Sequence, residues 1–247
     1  MEPAEYALMD QVEHRMWWYR ALHARIGDAL DGVRGRVLDA GCGTGGLLAR
    51  LRGRPGVQFV GLEYDATAAP RAAAKSGAAI VRGSINALPF ADADFAAVVS
   101  ADVLCHGAVD PATALAELRR VLAPGGLLVL NMPSYQWLMS EHDRHVHNVR
   151  RTTAGALRRD LAAAGFTQVR TRYWNTLLLP LMILQRKVLT PAGGRRKDGE
   201  TMSDVAAFPP IIDATFHALT ALERRLRLTL PAGGSVLATA RKPATPA

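Results

Sequence analysis

The chain has 247 residues, 49% of them hydrophobic, and a formal charge of +8 from 30 Lys and Arg against 22 Asp and Glu, so it is long enough to bury a full core. Its two cysteines, Cys42 and Cys105, exclude a disulfide framework and offer no metal-ligand spacing. No apolar run approaches the length of a membrane span and Met1–Glu5 has no secretory pattern, which predicts a soluble, cytoplasmic protein.

Residues 5–30 carry Leu8, Val12, Met16, Tyr19, Leu22, Ile26 and Leu30 at helical spacing, which predicts one or two helices. From Arg36 the pattern changes to short apolar runs at 37–40, 57–62, 78–81, 95–100 and 127–131, alternating with helical segments at 45–51, 67–76 and 111–122. That alternation predicts an α/β fold, a parallel sheet with helices on both faces. Asp110 is a candidate N-cap with Pro111 at the first helical position, and Pro124-Gly125-Gly126 stops that helix.

After the fifth strand comes a polar stretch, 134–151, then a helix over 153–164 closed by Gly165 and a strand near 166–173. Leu177–Leu184 is strongly apolar but short and broken by Pro180, so it reads as a buried or membrane-touching helix. Pro191–Ser203 is rich in glycine and charge and is a predicted mobile loop. An amphipathic helix over 211–228 and a last strand over 235–240 complete the chain, with no internal repeat.

The densest signal is Val37-Leu38-Asp39-Ala40-Gly41-Cys42-Gly43-Thr44-Gly45-Gly46, a strand running through a glycine turn into a helix. Glycines let the backbone turn tightly and approach a ligand, and the helix start offers unpaired N–H groups. Gly41, Gly43 and Gly46 also satisfy the G-x-G-x-x-G spacing of dinucleotide enzymes, so the glycines alone do not separate a nicotinamide cofactor from S-adenosylmethionine. Asp39 argues for the second, because a carboxylate there repels pyrophosphate and suits an ammonium group. Glu63, at the end of the second strand, can accept both hydroxyls of a ribose. Asp65 is placed to cap the next helix.

The Asp-x-Gly-x-Gly-x-Gly run resembles motif I of the class I SAM-dependent methyltransferases. Val81–Phe90 is similar to the family's Gly-Asp-Ala-x-x-Leu-Pro-Phe motif, with Ser84 where an aspartate is usual, and Arg119–Gly126 matches its Arg-Val-Leu-x-Pro-Gly-Gly. These motifs cover roughly residues 36–132, and nothing in a dehydrogenase requires the downstream set. Glu13–Arg20 resembles a stretch of a bacterial methyltransferase type 11-like subgroup. So, more loosely, do Trp137, Leu138, Ser140, Asp143, Arg150 and Arg151, with His147 or His145 near a histidine position.

The resemblance implies a Rossmann-like, seven-stranded, mostly parallel sheet with its last strand inserted antiparallel. It implies an N-terminal helical lid (1–34), a cofactor-binding core (35–174), a helical insertion or substrate lid (175–231) and a last strand with tail (232–247), all in one domain. SAM, leaving as S-adenosyl-L-homocysteine, would be held by Asp39, Gly41, Cys42, Gly43, Gly45, Glu63, Tyr64, Ser84, Ile85 and Ala101. Trp17, Trp18 and Tyr19 would close over it and Arg20 would meet its carboxylate; the plainer reading is that these aromatics bury one helix face. Ile85 serves equally well as core.

Methyl transfer is an in-line displacement on an already activated sulfonium, so alignment and exclusion of water matter most and a base is optional. His106, after the fourth strand, and His142 and His147, in the cluster 141–147, are the candidate bases. That cluster lacks a ligand framework elsewhere, and no metal is expected. The expected acceptor is a small, hydrophobic specialised metabolite. A lipid-linked acceptor met at a membrane surface through 177–184 and Arg186-Lys187, a peptide acceptor, or a SAM-binding module that transfers nothing are the alternatives. The arginine pairs are scattered with little aromatic interleaving, which argues against a nucleic acid partner; a monomer or homodimer is expected.

Overall fold

The computed structural model describes residues 3–189 and 208–244, so the loop predicted at Pro191–Ser203 lies outside the described residues. Two helices, α1 (Pro3–Val12) and α2 (Trp17–Ala29), precede a run of β1 (Gly35–Ala40), α3 (Gly46–Leu51), β2 (Val57–Glu63), α4 (Ala68–Ser76) and β3 (Ala79–Arg82). Then follow β4 (Phe95–Ala101), α5 (Pro111–Val121), β5 (Leu122–Pro133), α6 (Glu141–His145), α7 (Ala154–Ala163) and β6 (Thr167–Trp174). The chain closes with α8 (Leu179–Leu184) and a π-helical turn (Gln185–Leu189), then α9 (Pro210–Arg225) and β7 (Ser235–Arg241).

The seven strands form one sheet in the order β3-β2-β1-β4-β5-β7-β6. The first five pair in parallel, while β7 runs antiparallel between β5 and β6. This is the Rossmann-like methyltransferase sheet that the motifs imply. Strand residues alternate between two cores, as a sheet covered on both faces requires. Leu38, Val60, Val98, Leu128 and Val236 pack with α5 and α7. Val37, Ala97, Val99 and Val129 pack with Leu22 and Ile26 of α2 and Leu47 and Leu51 of α3.

Local chemistry sets the helix ends. Asp110 Oδ2 accepts from Thr113 N at 2.9 Å with Pro111 opening α5, and Thr153 Oγ1 accepts from Ala156 N at 3.2 Å at the start of α7. The Pro-Gly-Gly turn behaves differently from the reading as a helix stop followed by a separate strand. β5 already begins at Leu122 and runs through it, with a register shift between Phe95 and Ala97 on the neighbouring strand.

Between β1 and β4 the chain reverses its direction of travel across the sheet, and such a switch point opens a crevice at the strands' carboxyl ends. The walls above it come from far apart in sequence. Arg25 of α2 is buried against α9, donating to Thr220 O at 2.8 Å and pairing with Glu223 at 3.5 Å, with its guanidinium 4.6 Å over the Trp174 ring. Asp213 Oδ1 accepts from Trp17 N at 2.7 Å, tying the start of α2 to α9. No helix among the described residues is long and apolar enough to cross a membrane.

Candidate functional site

The crevice is a cavity of about 1210 Å³, floored by the ends of β1, β2 and β4 and walled by α1, α2, α6, α8 and the residues leading into α9. Of the cofactor residues expected from sequence, Asp39, Gly41, Cys42, Gly43, Glu63, Tyr64, Ser84, Ile85, Ala101 and Tyr19 line it, and so do His106, His142 and His147. Gly45 and Arg20 are not among its walls.

The glycine turn is shaped by contact. Gly41 has φ 93°, and a Cβ there would collide with the Val103 side chain, so only glycine lets β1 and the segment after β4 close up. Gly45, at φ 88°, lies against α4, where a Cβ would stand 2.8 Å from Ala72 Cα. Its work is helix packing. Helix α1 covers the turn from the other side: Met9 Cε would be 2.8 Å from a Cβ on Gly43, and Thr44 donates to Glu13 Oε1 at 2.6 Å. Lys75 pairs with the same Glu13.

Glu63 is 5% exposed, and its carboxylate is aimed at the turn. Oε2 accepts from Gly43 N at 2.8 Å, while Oε1 accepts from Asp65 N at 2.9 Å and, weakly, from the Tyr6 hydroxyl at 3.4 Å. A carboxylate has about four acceptor sites, so capacity remains on Oε2, and the long Tyr6 contact is exchangeable. Burial pushes Glu63 above the usual carboxylate range, against the pull of these backbone donors. Asp39, 3% exposed, is pushed up to about 7 by burial and then by the charges of Glu63 and Glu13. Among the described residues no cation pairs with either Asp39 or Glu63. A buried, uncompensated pair of carboxylates is costly and calls for a cationic or hydroxyl-bearing ligand.

Ser84 Oγ accepts from Asn86 N at 3.2 Å at the cavity edge, Ile85 is both core and wall, and Tyr64 is 75% exposed at the mouth. Asp65 Oδ1 accepts from Thr67 N and Ala68 N at 2.7 and 3.0 Å, a cap for α4.

The aromatic stretch divides. Trp17, Trp18 and Tyr19 all face the cavity, and Trp17 also packs edge-on to Phe216 of α9 at 5.6 Å. Arg20, expected to meet a cofactor carboxylate, is 42% exposed, stands outside the cavity walls and pairs with Asp213 of α9 at 3.5 Å.

The polar stretch after β5 is ordered by buried charge. Ser140 and Asp143 form a reciprocal capping box on α6, and Asp143, 1% exposed, holds Arg151 through both oxygens at 2.8 and 2.9 Å. Arg150 donates to the carbonyls of Leu104, His106 and Val109 at 2.9, 2.6 and 2.9 Å, fixing the loop after β4. Burial lowers the affinity of His106 for a proton, so its imidazole is neutral near pH 7. No group of three or more His, Cys, Asp or Glu among the described residues could hold a metal ion.

Sequence reasoning missed Tyr6, Met9 and Asp102 as cavity walls, and passed over Glu13 as the anchor of the turn. Tyr6 and Met9 are ordinary residues of a helix with a weak apolar stripe. Only Glu13 carried a signal, inside the Glu-His-Arg-Met-Trp-Trp-Tyr-Arg stretch.

Residues 38–130 match the methyltransferase domain family. The 24-methylenesterol C-methyltransferase 2 of Oryza sativa subsp. japonica is 32% identical over 163 residues, which are 59% of this chain and 44% of that protein. The O-methyltransferase resE of Aspergillus sclerotiorum is 35% identical over 136 residues, 52% of this chain and 49% of that protein. The chain thus spans about half the length of these curated relatives or less. Among solved structures, the methyltransferase in a complex with the Haloferax volcanii Trm112 methyltransferase activator superposes with a TM-score of 0.60 at 19% identity, covering 98% of this chain and 95% of that one. At that identity the likeness is one of fold.

Proposed function

We propose, from a chain whose residues 38–130 belong to the methyltransferase domain family, that this protein transfers a methyl group from S-adenosylmethionine to a small hydrophobic acceptor. The observation that carries the reading is the uncompensated pair Asp39 and Glu63 beside the glycine turn. Asp39 suits an ammonium group, Glu63 suits a ribose diol, and both oppose a pyrophosphate. The volume of about 1210 Å³ exceeds the roughly 300–1,000 Å³ of an ordinary ligand pocket, room for a cofactor and an acceptor together.

The cofactor, when bound, supplies a methyl group already activated by a sulfonium. The chain's residues then hold, orient and keep dry. Gly41 allows close approach at the turn, and Ile85 offers an apolar wall. Trp17, Met16, Leu178 and Phe216 make the far wall apolar, which excludes water and favours an apolar acceptor. Neutral His106 is competent to receive a proton from the acceptor.

A lipid-linked acceptor is the second reading. Leu177, Leu181 and Leu184 are 40–45% exposed beside the exposed Lys187, and Leu181 reaches the cavity, an arrangement suited to drawing an acceptor from a membrane surface; Arg186, 13% exposed and paired with Asp143, is turned inward.

The test is incubation with methyl-labelled SAM and a panel of apolar phenols, carboxylic acids, amines and isoprenoids, free and in vesicles. Label in an organic-soluble product supports methyl transfer, and its appearance only with vesicles selects the lipid-linked acceptor. Saturable SAM binding with no label in any product would leave a binding module without transferase activity.

A further inference from the structure

Asp102 has no assigned role, and three features set it apart. It directly follows β4 at the switch point, with φ 54°, in the left-handed region that few residues besides glycine, asparagine and aspartate adopt. Its carboxylate is clamped: Asn131 Nδ2 of β5 donates to both oxygens, at 3.0 and 3.1 Å, while Asp102 N donates to Asn131 O at 2.9 Å. Trp174 Nε1 donates to Asn131 Oδ1 at 2.8 Å, which fixes the amide's orientation so that its NH₂ faces Asp102. Finally, Asp102 lines the same cavity as Asp39 and Glu63. Those two suffice for an ammonium and a ribose, so the cofactor leaves a third carboxylate unexplained.

Resting on the methyl-transfer reading, we propose that Asp102 faces the methyl acceptor's nucleophile and receives its proton, so that the acceptor is a hydroxyl or amine. As the nucleophile's lone pair forms the new bond to the methyl carbon, the carbon–sulfur pair stays on sulfur. The electrons of the O–H or N–H bond remain on the nucleophile, and its proton passes to the Asp102 carboxylate, then to solvent. The charged or polar groups facing Asp102 are Asn131 from β5, Asp143 of α6, Arg151 of the segment between α6 and α7, Tyr19 from α2 and the Cys105 thiol of the following loop. Burial raises Asp102 to about 6 against the opposing pull of Asn131 and Arg151, leaving it ionised near neutral pH yet able to take a proton.

Sinefungin, in which an amine-bearing carbon replaces the methylated sulfur, probes this without any acceptor. Calorimetric titration should show wild type binding sinefungin about tenfold or more tightly than S-adenosylhomocysteine, the preference rising between pH 5 and 7. Asp102→Asn should bind S-adenosylhomocysteine within about threefold of wild type and lose the preference. If circular dichroism shows that variant unfolded, Asn131→Ala keeps the carboxylate and should move the midpoint of the pH dependence upward. An unchanged preference in Asp102→Asn would overturn the proposal, as would an unmoved midpoint in Asn131→Ala, or a preference lost in His106→Ala and kept in Asp102→Asn. Failure of wild type to bind S-adenosylhomocysteine would overturn the methyltransferase reading itself.

Discussion

Buried carboxylates meet the same cavity in two settings that differ in kind. At the glycine turn, Asp39 and Glu63 repel one another and are raised by burial, without a cation of their own. At α6, Asp143 is held below the usual carboxylate range, its burial outweighed by Arg151 and then by its hydrogen bonds and Arg186. A charge compensated within the chain is scaffold, and a charge left uncompensated beside a cavity is a binding element. The distinction predicts opposite consequences for removing each.

The largest effect belongs to the compensated setting. Asp143→Ala strands buried Arg151 and removes the α6 capping box, and by analogy with other broken buried pairs it should destabilise the fold by about 3–5 kcal/mol. Thermal denaturation would show it, and an unchanged midpoint would dissolve the scaffold side of the contrast. Next is Glu63→Ala, which should weaken SAM affinity about tenfold or more while leaving the melting temperature of the ligand-free protein nearly unchanged. Unaltered binding in that variant would remove the ribose from β2. The smallest effect is at Arg20, whose pair with Asp213 is half exposed. Arg20→Ala should cost less than about 1 kcal/mol of stability and leave SAM affinity unchanged. A large loss of affinity would return Arg20 to the cofactor and blur the contrast.

How much of this was legible in the sequence follows the same division. The strands β1, β2 and β4 announce themselves as short apolar runs, and the turn between β1 and α3 by its glycines. The residues at those strand ends, Asp39 and Glu63, are placed by the topology alone. The upper wall is built from partners distant in sequence, and local pattern carries no trace of them. Arg20 reads as a partner for the cofactor's carboxylate until α9 brings Asp213 beside it. The stretch 141–147 reads from its histidines as a source of bases, and its buried charge pair is hidden because the pairing of Asp143 with Arg151 depends on how the chain folds back after α6. Asp102 is hidden for another reason: an unremarkable Ala-Asp-Val gives no hint that its carboxylate meets Asn131 of the neighbouring strand.

The central claim, that the uncompensated carboxylates await the cofactor's cation, is tested most directly through proton linkage at Asp39. The folded-state value near 7 lies above the ordinary 3.8, so the folded, ligand-free protein binds this proton more tightly than the unfolded chain. Its contribution to stability is therefore greatest below about pH 4 and is lost as pH rises toward 7. A cation bound beside Asp39 reverses that bias and expels the proton. Calorimetric titration of SAM near pH 7, in buffers of different ionisation enthalpy, should show one site and a fractional proton release that Asp39→Asn abolishes. Absence of SAM binding, or the same proton count in both proteins, would contradict the account.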